Sequence, residues 1–364
     1  MHQYTLECII INVVRGALQV IKVVIIGDGY AAADLVRILY GHEKVQIVSV
    51  TSADNVGRRF SEVYPSLTGM ADITLQETDP SQLKKQGDVA FLALPHGLSV
   101  PVVAELIEGG VRCVDFGADF RLRDVNIYKQ HYLLDHERPD LLQEAVYGLP
   151  ELYREQIRNT RIVANPGCYP TGASLSLVPL LQNGLISTSG IIVDSKSGVS
   201  GAGKGLSQTT HFCHVNENFK AYGVGTHRHA PEIEQELSVA AGKQVNITFT
   251  PHLVPMNRGI LTTAYGELRK GVKPHEIREA MEDFYQGERF VKVLPHGVYP
   301  ETKWVYGSNY AHIGIYVNPD NGRVIIISAI DNLTKGAAGQ AVQNFNLMLG
   351  LDEGMALQSP GLYP

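Results

Sequence analysis

Three residues have the side chains that nucleophilic acyl chemistry requires: Cys168, His227 and His229. Cys168 follows the helix-breaking pair 166–167, and a leucine-rich segment with helical spacing begins at Thr171. We therefore expect Cys168 at the N-terminus of a helix, where free N–H groups and the helix dipole lower a thiol pKa and can hold an oxyanion. A small buried thiol at a turn is the alternative.

A thiolate nucleophile also needs a base, and the two histidines are the candidates. They lie just before a predicted helix whose early position is Pro231. Residues two apart in an extended segment share one face, so both rings can address one site. We name His227 first as the proton carrier; the alternative is that the histidines only cap neighbouring backbone.

Two other patterns of polar residues are weaker. A metal centre could draw on His211, Cys213, His214, His227 and His229. Their spacing matches no common zinc arrangement, so no metal is predicted. The loop 198–205 is close to a Walker A pattern but has Gly205 where a Ser or Thr should hold magnesium. We expect it to fold over a substrate, with Lys204 near an anionic group; an ordinary hairpin connection is the alternative.

The N-terminal part predicts the element that binds a cofactor. Residues 20–26 are an apolar run of strand length, and Gly27 and Gly29 follow in a G-x-G-x-x-A pattern that leads into a helix. Strand, glycine turn and helix begin a dinucleotide-binding βαβ unit, in which the glycines let a pyrophosphate approach the backbone. Tyr30 and Ala31 complete the predicted contacts of this turn. An ordinary βα turn is the alternative.

The end of the second predicted strand, residues 45–50, bears on the choice of nicotinamide cofactor. Thr51 and Ser52 follow the strand, with no carboxylate at the position that binds a ribose 2′-hydroxyl, and Arg58 comes soon after. Hydroxyls and arginines favour a 2′-phosphate, so these residues predict NADP(H) over NAD. A solvated basic turn is the alternative.

The later strands define the fold class. Residues 88–94 and 111–116 continue the βα alternation, and His96 is interpreted as a contact to cofactor or backbone. The strands predicted beyond Cys168 look antiparallel and lie at 191–194, 245–250, 260–265, 311–317 and 323–330. The predicted class is α/β, with a Rossmann dinucleotide-binding domain and a central α+β domain on a mostly antiparallel sheet.

Composition limits the classes of partner. The chain has 364 residues, enough for two cores, and its net charge of −6 gives no support for nucleic acid or a membrane surface as partner. The four cysteines include no CxxC pair, which favours a reducing cytoplasm. Residues 9–26 are apolar but too often interrupted for a membrane span. We interpret residues 1–19 as an extension ahead of the first strand.

Several long motifs carry a resemblance to a known family. They are 118–122, 165–171, 196–203, 227–229 with 231–233, 249–256, 307–309, and 331–333 with 335–340. With these motifs the chain resembles, from Lys22 to Gly350, the N-acetyl-γ-glutamyl-phosphate reductase family, which is related to aspartate-semialdehyde dehydrogenase. The family usually has a G-x-x-G-x-x-G turn; this turn is one residue shorter and ends in Ala32.

The resemblance implies a division of the chain and a reaction. Residues 20–166 and 332–364 would form the NADP-binding Rossmann domain, and residues 167–331 a catalytic and oligomerisation domain. Cys168 would attack the acyl phosphate of N-acetyl-glutamyl 5-phosphate, NADPH would reduce the thioester, and the semialdehyde would leave, as in arginine biosynthesis. Relatives are commonly dimers or tetramers, so a homodimer or homotetramer is expected.

The resemblance also implies roles for single residues. His227 would return the proton with His229 beside it, and the amide of Cys168, with Asn165, would hold the oxyanion. The predicted contacts to a carboxylate or phosphate of the substrate are Arg121, Ser197 and Arg228. The remaining predicted cofactor contacts are Gly198, Asn332 and Gly336.

Three rival functions stay open at this point. The nearest is a lysine-pathway reductase of an aminoadipyl phosphate, whose substrate differs by one methylene and an amide cap, a difference that sequence does not resolve. A cofactor-free thiol hydrolase or acyltransferase would use Cys168 and His227 without the glycine turn. A non-enzymatic dinucleotide sensor would use the turn without the thiol.

Overall fold

Two sheets with different strand directions organise the chain. The computed structural model describes residues 20–363, so the predicted extension, residues 1–19, lies outside the described residues. Within that range one sheet has six strands and the other has seven. None of the described helices is long and apolar enough to cross a membrane. The predicted α/β class is confirmed.

The first sheet is parallel throughout, in the order β2-β1-β3-β4-β6-β5. Its strands are β1 (Ile21–Ile26), β2 (Val45–Thr51), β3 (Val89–Leu92), β4 (Arg112–Asp115), β5 (Val146–Tyr147) and β6 (Ile162–Ala164). The helices between them are α1 (Tyr30–Tyr40), α2 (Phe60–Val63), α3 (Pro80–Leu83), α4 (Ser99–Glu108), α5 (Val125–Tyr132), α6 (Pro139–Glu144) and α7 (Pro150–Asn159). The carboxyl ends of parallel strands share one edge, so the loops that follow them meet there.

Alternating apolar residues of β1 show why helices cover both faces of this sheet. Val23 and Ile25 belong to one core with Leu35 of α1. Val24 and Ile26 belong to the core on the opposite face, which contains side chains of α4. A strand with apolar residues on both faces must be buried on both. This is the doubly wound arrangement predicted for a Rossmann unit.

The second sheet is mixed, in the order β11-β12-β13-β10-β7-β9-β8. Its strands are β7 (Ile191–Ser197), β8 (Lys220–Ala221), β9 (Ile247–Leu253), β10 (Ile260–Glu267), β11 (Val291–Val293), β12 (Ala311–Asn318) and β13 (Arg323–Ile330). The helices of this part are α8 (Cys168–Gln182), α9 (Phe212–Val215), α10 (Ala230–Ala241) and α11 (Pro274–Phe284). The apolar faces of α8, α10 and α11 share one core with strand residues such as Val193 and Ile326.

The expectation that the later strands pair antiparallel is only partly right. Strands β12, β13, β10 and β7 pair antiparallel in turn, as do β8 and β9. However, β7 pairs parallel with β9, and β11 pairs parallel with β12. A parallel pair needs a crossover connection, and α10 lies in the connection between β7 and β9.

The end of the chain returns to the first sheet. A π-helical turn, Thr334–Ala338, leads into α12 (Gly339–Met348). Phe345 of α12 is fully buried, and its ring centroid lies 5.5 Å from that of Phe91 on β3. The predicted domain boundaries at 166/167 and 331/332 stay predictions.

An ionic network joins the two sheets. The guanidinium of Arg258, in the β9–β10 loop, donates to both carboxylate oxygens of Asp34 on α1, each at 3.1 Å. It also donates to Asp331 Oδ1, at 2.9 and 3.1 Å, and to the hydroxyl of Thr334 at 2.8 Å. Both carboxylates are buried, so one arginine forms ion pairs with two buried acids from different parts of the chain, and Arg37 also pairs with Asp34.

Replacing Arg258 with methionine should therefore destabilise the protein strongly. Removing one partner of a buried ion pair leaves an uncompensated charge, which costs about 3 to 5 kcal/mol. We expect urea unfolding, followed by circular dichroism, to show a loss of that size.

Arg138→Met is the matched control for this substitution. Arg138 also makes two hydrogen bonds to one carboxylate, that of Asp140, but the pair is solvent-exposed. Its removal should leave the unfolding midpoint unchanged within error. If both substitutions lowered the free energy of unfolding equally, the proposed stabilisation by the Arg258 network would be contradicted.

Candidate active site

A cavity of about 450 Å³ opens between the carboxyl edge of the parallel sheet and the mixed sheet. Most of the predicted site residues line it. They are Gly29, Tyr30, Ala31, His96, Arg121, Asn165, Cys168, Ser197, Gly198, His227, Arg228, His229, Asn332 and Gly336. The predicted contacts Gly27, Thr51, Ser52 and Arg58 are not part of this wall.

Cys168 is the first residue of α8, with Gly167 as the extended N-cap residue, as the sequence predicted. Burial raises the pKa of its thiol to about 11; the Arg121 guanidinium and the backbone N–H of Tyr169 lower that pKa only in part. The prediction that the helix start gives a thiol of low pKa is therefore wrong for the free protein. Desolvation outweighs the nearby positive charge.

The carboxylate of Glu232, in the first turn of α10, organises the surroundings of the thiol. Its Oε1 accepts from the backbone N–H of Gly167 and from the Tyr147 hydroxyl, both at 2.8 Å. Its Oε2 pairs with Arg121 at 3.2 Å, and both side chains are buried. The residue before the nucleophile is thus tied to the helix that follows the two histidines.

Arg121 uses three of its N–H groups within the protein. Besides Glu232, it donates to the carbonyl oxygens of Asn165 at 2.8 Å and of Phe116 at 2.6 Å. These carbonyls follow β6 and β4, so the guanidinium holds two strand ends together. Its predicted role as a substrate contact stays a prediction, although it does line the cavity.

Asn165 is likewise engaged in the fold. Its Nδ2 donates to the carbonyl of Ala337 at 3.0 Å, and its Oδ1 accepts from Asn344 Nδ2 at 3.0 Å. These contacts connect the cysteine loop to the π-helical turn and α12. One N–H of the amide remains for an oxyanion, which was its predicted role.

The two histidines lie side by side in a turn, which corrects the predicted extended segment. Their ring centroids are 4.9 Å apart, and both rings pack edge-on against Tyr169. The backbone folds back here because His229 has helical dihedral angles as the N-cap of α10. The expected proximity of the two rings holds, but it comes from the turn.

Hydrogen bonding fixes the tautomer of His227 and leaves that of His229 open. His227 Nδ1 accepts the backbone N–H of His229 at 3.1 Å, so the neutral ring carries its proton on Nε2. Burial lowers the pKa of His227 to about 4 and the pKa of His229 well below its usual value. Among the described residues, the buried Nδ1 of His229 has no hydrogen-bond partner.

Two glycines let the backbone approach these side chains. A Cβ atom on Gly167 would lie 2.7 Å from His229 Nε2 and 3.0 Å from an Arg121 nitrogen. A Cβ atom on Gly336, in the π-helical turn, would lie 2.9 Å from the Cβ of Cys168. The distances of 2.7 and 2.9 Å are shorter than real Cβ contacts, so a larger residue at either position would displace the thiol or its neighbours.

His96 and Arg228 line the side of the cavity near α5. His96 Nδ1 accepts the backbone N–H of Ala118 at 3.1 Å, which agrees with the interpretation of this residue as a backbone contact. Burial lowers the pKa of His96 to about 4. Arg228 is exposed, stacks over the Tyr132 ring at 5.5 Å, and makes no ion pair with any described residue.

The loop that begins at Gly198 covers the cavity. Asn332 fixes it, because its Oδ1 accepts from the Gly259 N–H at 2.7 Å and its Nδ2 donates to Ser200 Oγ at 2.9 Å. Ser197, at the end of β7, is buried and donates to the carbonyl of Gly198 at 3.0 Å. Asn332 therefore acts on the loop, and its predicted cofactor contact is untested.

The glycine turn has the shape that a dinucleotide needs. Gly27 has φ +106°, and a Cβ atom there would lie 2.4 Å from the carbonyl oxygen of Ala93. A Cβ atom on Gly29 would meet nothing within 4 Å, so the start of α1 faces open space. Free N–H groups at a helix start beside open space can receive a pyrophosphate.

The residues predicted to read the 2′-phosphate lie at the turn but have other partners. Thr51 is fully buried. Its hydroxyl accepts a hydrogen bond from the Gly27 N–H at 3.3 Å and forms another with the Thr78 hydroxyl at 2.8 Å, so it stabilises the glycine turn. Ser52 Oγ accepts from two backbone N–H groups of its own turn. Arg58 donates to the Asn55 side chain at 2.9 Å. A direct cofactor contact of Thr51, Ser52 or Arg58 stays a prediction.

Sequence reasoning missed Glu232 and the partner of Lys204. An acid in the first turn of a helix usually serves the helix dipole, so nothing in the sequence marked Glu232 as buried. Lys204 was expected near an anionic group, but its ammonium contacts Asp28 of the glycine turn at 2.7 Å. The sequence did offer one signal for this contact: Asp28, between the two glycines, is an acid that needs a cation nearby.

Comparison with known proteins agrees with this geometry. Residues 22–160 match the family described as semialdehyde dehydrogenase, NAD binding domain, and residues 168–332 match semialdehyde dehydrogenase, dimerisation domain. Among solved structures, aspartate semialdehyde dehydrogenase II of Vibrio cholerae has a TM-score of 0.69 at 19% identity, covering 91% of this chain and 99% of that one. The Candida albicans enzyme, solved with NADP, has a TM-score of 0.66 at 14% identity, covering 91% and 98%. These similarities establish the shared fold.

Relatives with much higher sequence identity share one name. The N-acetyl-gamma-glutamyl-phosphate reductase of Pelotomaculum thermopropionicum is 53% identical over 345 residues, which cover 94% of this chain and 99% of that protein. The protein of the same name from Desulforamulus reducens is 54% identical over 345 residues, covering 94% and 100%. With the thiol, the paired histidines and the glycine turn around one cavity, the chain belongs to the N-acetyl-gamma-glutamyl-phosphate reductase family.

Proposed function

We propose that this protein reduces N-acetyl-L-glutamyl 5-phosphate to N-acetyl-L-glutamate 5-semialdehyde and phosphate, with NADPH, in arginine biosynthesis. The observation that carries the proposal is the convergence of Cys168, two histidines and the glycine turn on one cavity. A cofactor-free hydrolase would have no use for a dinucleotide turn in the same space. A dinucleotide sensor would have no use for the thiol.

Cys168 carries the covalent step. Its Sγ, as a thiolate, forms a bond to the acyl carbon while the bond from that carbon to the phosphate oxygen breaks, which gives a thioester and free phosphate. NADPH, when bound, supplies the hydride that reduces this thioester to the oxidation level of the aldehyde. Cleavage of the carbon–sulfur bond then releases the semialdehyde and returns the thiolate.

The start of α8 stabilises the negative charge that develops on the acyl oxygen. The first N–H groups of a helix have no partner within the helix. The N–H groups of Cys168 and Tyr169 contact the sulfur of Cys168, so they also lie beside the carbon that it attacks. The neutral His227 ring carries its proton on Nε2 and can donate to the same oxygen.

The uncommitted positive charge of the site is Arg228. Arg121 is paired with Glu232 and Lys204 with Asp28, whereas Arg228 is exposed at the cavity and makes no ion pair with any described residue. We assign to Arg228 the carboxylate or phosphate of the substrate, with Ser197 and His229 as further contacts. A bidentate guanidinium suits both anions.

The residues of the glycine turn and of the covering loop fit NADP(H). Gly29, Tyr30 and Ala31 would hold the pyrophosphate, and Gly198 and Gly336 would lie by the nicotinamide, since they line the same cavity as Cys168.

We expect the protein in the cytoplasm, where its free thiol stays reduced. We also expect a homodimer or homotetramer formed through residues 167–331.

The function is tested in the direction of aldehyde oxidation. Wild-type protein with N-acetylglutamate 5-semialdehyde, phosphate and NADP should produce NADPH, and Cys168→Ser should lower the rate by at least about 10⁴-fold because the nucleophile is lost. The aminoadipate semialdehyde homologue and NAD are the comparison substrates. Turnover that needs no phosphate, or that persists in Cys168→Ser, would contradict the proposed mechanism.

Alkylation should reveal a protonated thiol in the free protein. Because burial raises the pKa of Cys168 to about 11, the rate of its modification by iodoacetamide should rise steadily with pH up to 9, without a plateau. Mass spectrometry of the Cys168 peptide separates this signal from that of exposed Cys213. A plateau below pH 8 would mean that the thiolate already forms without ligands.

The two histidines should differ in their effect on turnover. His227→Asn should lower kcat by about 10²-fold or more while KM changes little, the size expected for loss of a catalytic acid or base. His229→Asn should act less on kcat, since it removes a ring packed over Gly167. The opposite order, measured in the same assay, would assign the proton transfer to His229.

A further inference from the structure

The glycine turn of this chain contains an acid where a phosphate-binding turn is least expected to have one. Asp28 stands between Gly27 and Gly29, in a turn that the proposed function assigns to the pyrophosphate of NADP(H). A carboxylate next to two phosphates repels them if no counter-charge is present. This inference rests on the proposed function and concerns how the chain tolerates that acid.

The carboxylate of Asp28 is nearly buried and fully engaged. One oxygen pairs with the Lys204 ammonium at 2.7 Å, and the other accepts from Asn55 Nδ2 at 2.7 Å. Burial tends to raise the pKa of Asp28, but the hydrogen bonds from Lys204 and Asn55 hold it below its usual value. The acid is therefore charged, and Lys204 is its cation.

Lys204 comes from the other sheet and lines the cavity. It lies near the end of the covering loop, just after Gly203, which has a φ of +80°. The loop itself is anchored, because Ser200 Oγ donates to the carbonyl of Asn257 at 2.6 Å and accepts from Asn332. The Lys204 ammonium thus contacts the glycine turn from a loop whose position is fixed by these hydrogen bonds.

We propose that Lys204 is a positioning residue for the cofactor, which neutralises Asp28 so that the acidic turn accepts the pyrophosphate and which closes the covering loop against that turn. In this role Lys204 acts through Asp28. The charge of the acidic turn is then balanced by a lysine from the opposite side of the cavity.

The test is a double-mutant cycle on NADPH binding, measured by fluorescence without substrate. Lys204→Gln should weaken binding about tenfold, because Asp28 is left unpaired beside the phosphates. Asp28→Asn alone, and Asp28→Asn with Lys204→Gln, should bind within about threefold of wild type. NADH should lose affinity by the same factor as NADPH in Lys204→Gln, since both contain the pyrophosphate.

Lys129→Gln is the matched control. Lys129 forms an ion pair of the same length, 2.7 Å, with Asp135, but that pair is solvent-exposed and away from the cavity. Its removal should leave the affinity unchanged. Circular dichroism of every variant checks that it is folded.

Three results would overturn the proposal. Lys204→Gln could bind NADPH like wild type, the double variant could stay as weak as Lys204→Gln, or the loss could be confined to NADPH, which would place Lys204 at the 2′-phosphate. Failure of the proposed function looks different, because wild-type protein would then bind no NADPH or would not turn over the semialdehyde.

Discussion

The buried ion pair between Glu232 and Arg121 is the constraint on which the active site depends. A charged pair removed from water is stable only if its remaining hydrogen-bonding groups are satisfied. Here the Glu232 carboxylate also accepts from the N–H of Gly167 and from the Tyr147 hydroxyl. The Arg121 guanidinium also donates to the carbonyls that follow β4 and β6. The pair thereby fixes the start of α8, the start of α10 and two strand ends in one arrangement, which sets where the thiol and the histidines stand.

That arrangement explains both the reactivity and the composition of the site. Close packing around the pair leaves Cys168 half-buried, and this desolvation raises the pKa of the thiol to about 11 although a guanidinium is near. It also requires glycine at 167 and 336, where any side chain would overlap the histidine or the cysteine. At neutral pH the free enzyme therefore holds Cys168 as the protonated thiol.

Sequence patterns predicted the parts that depend on local structure. The strand, glycine turn and α1 follow from apolar spacing and two glycines, and Cys168 at the start of α8 follows from the breaker pair before it. The parallel pairing of β7 with β9 did not follow, because strand direction depends on the path of the intervening helix. The burial of Glu232 did not follow either, since its partners lie about 65 to 111 residues away in the chain. Local sequence patterns do not predict ion pairs between residues that are far apart in the chain.

The same physical rule governs the cations around the cavity. Sequence reasoning expected Arg121 and Lys204 to hold an anionic ligand, but each is committed to a carboxylate of the protein, Glu232 or Asp28. A buried or half-buried cation is retained where an acid needs it, so its charge is already compensated before any ligand arrives. Arg228 differs because it forms no ion pair with any described residue and stacks over the Tyr132 ring. Among the described cations of the cavity, Arg228 therefore keeps a charge that no ion pair compensates, while Arg121 and Lys204 stabilise the shape of the site through their acids.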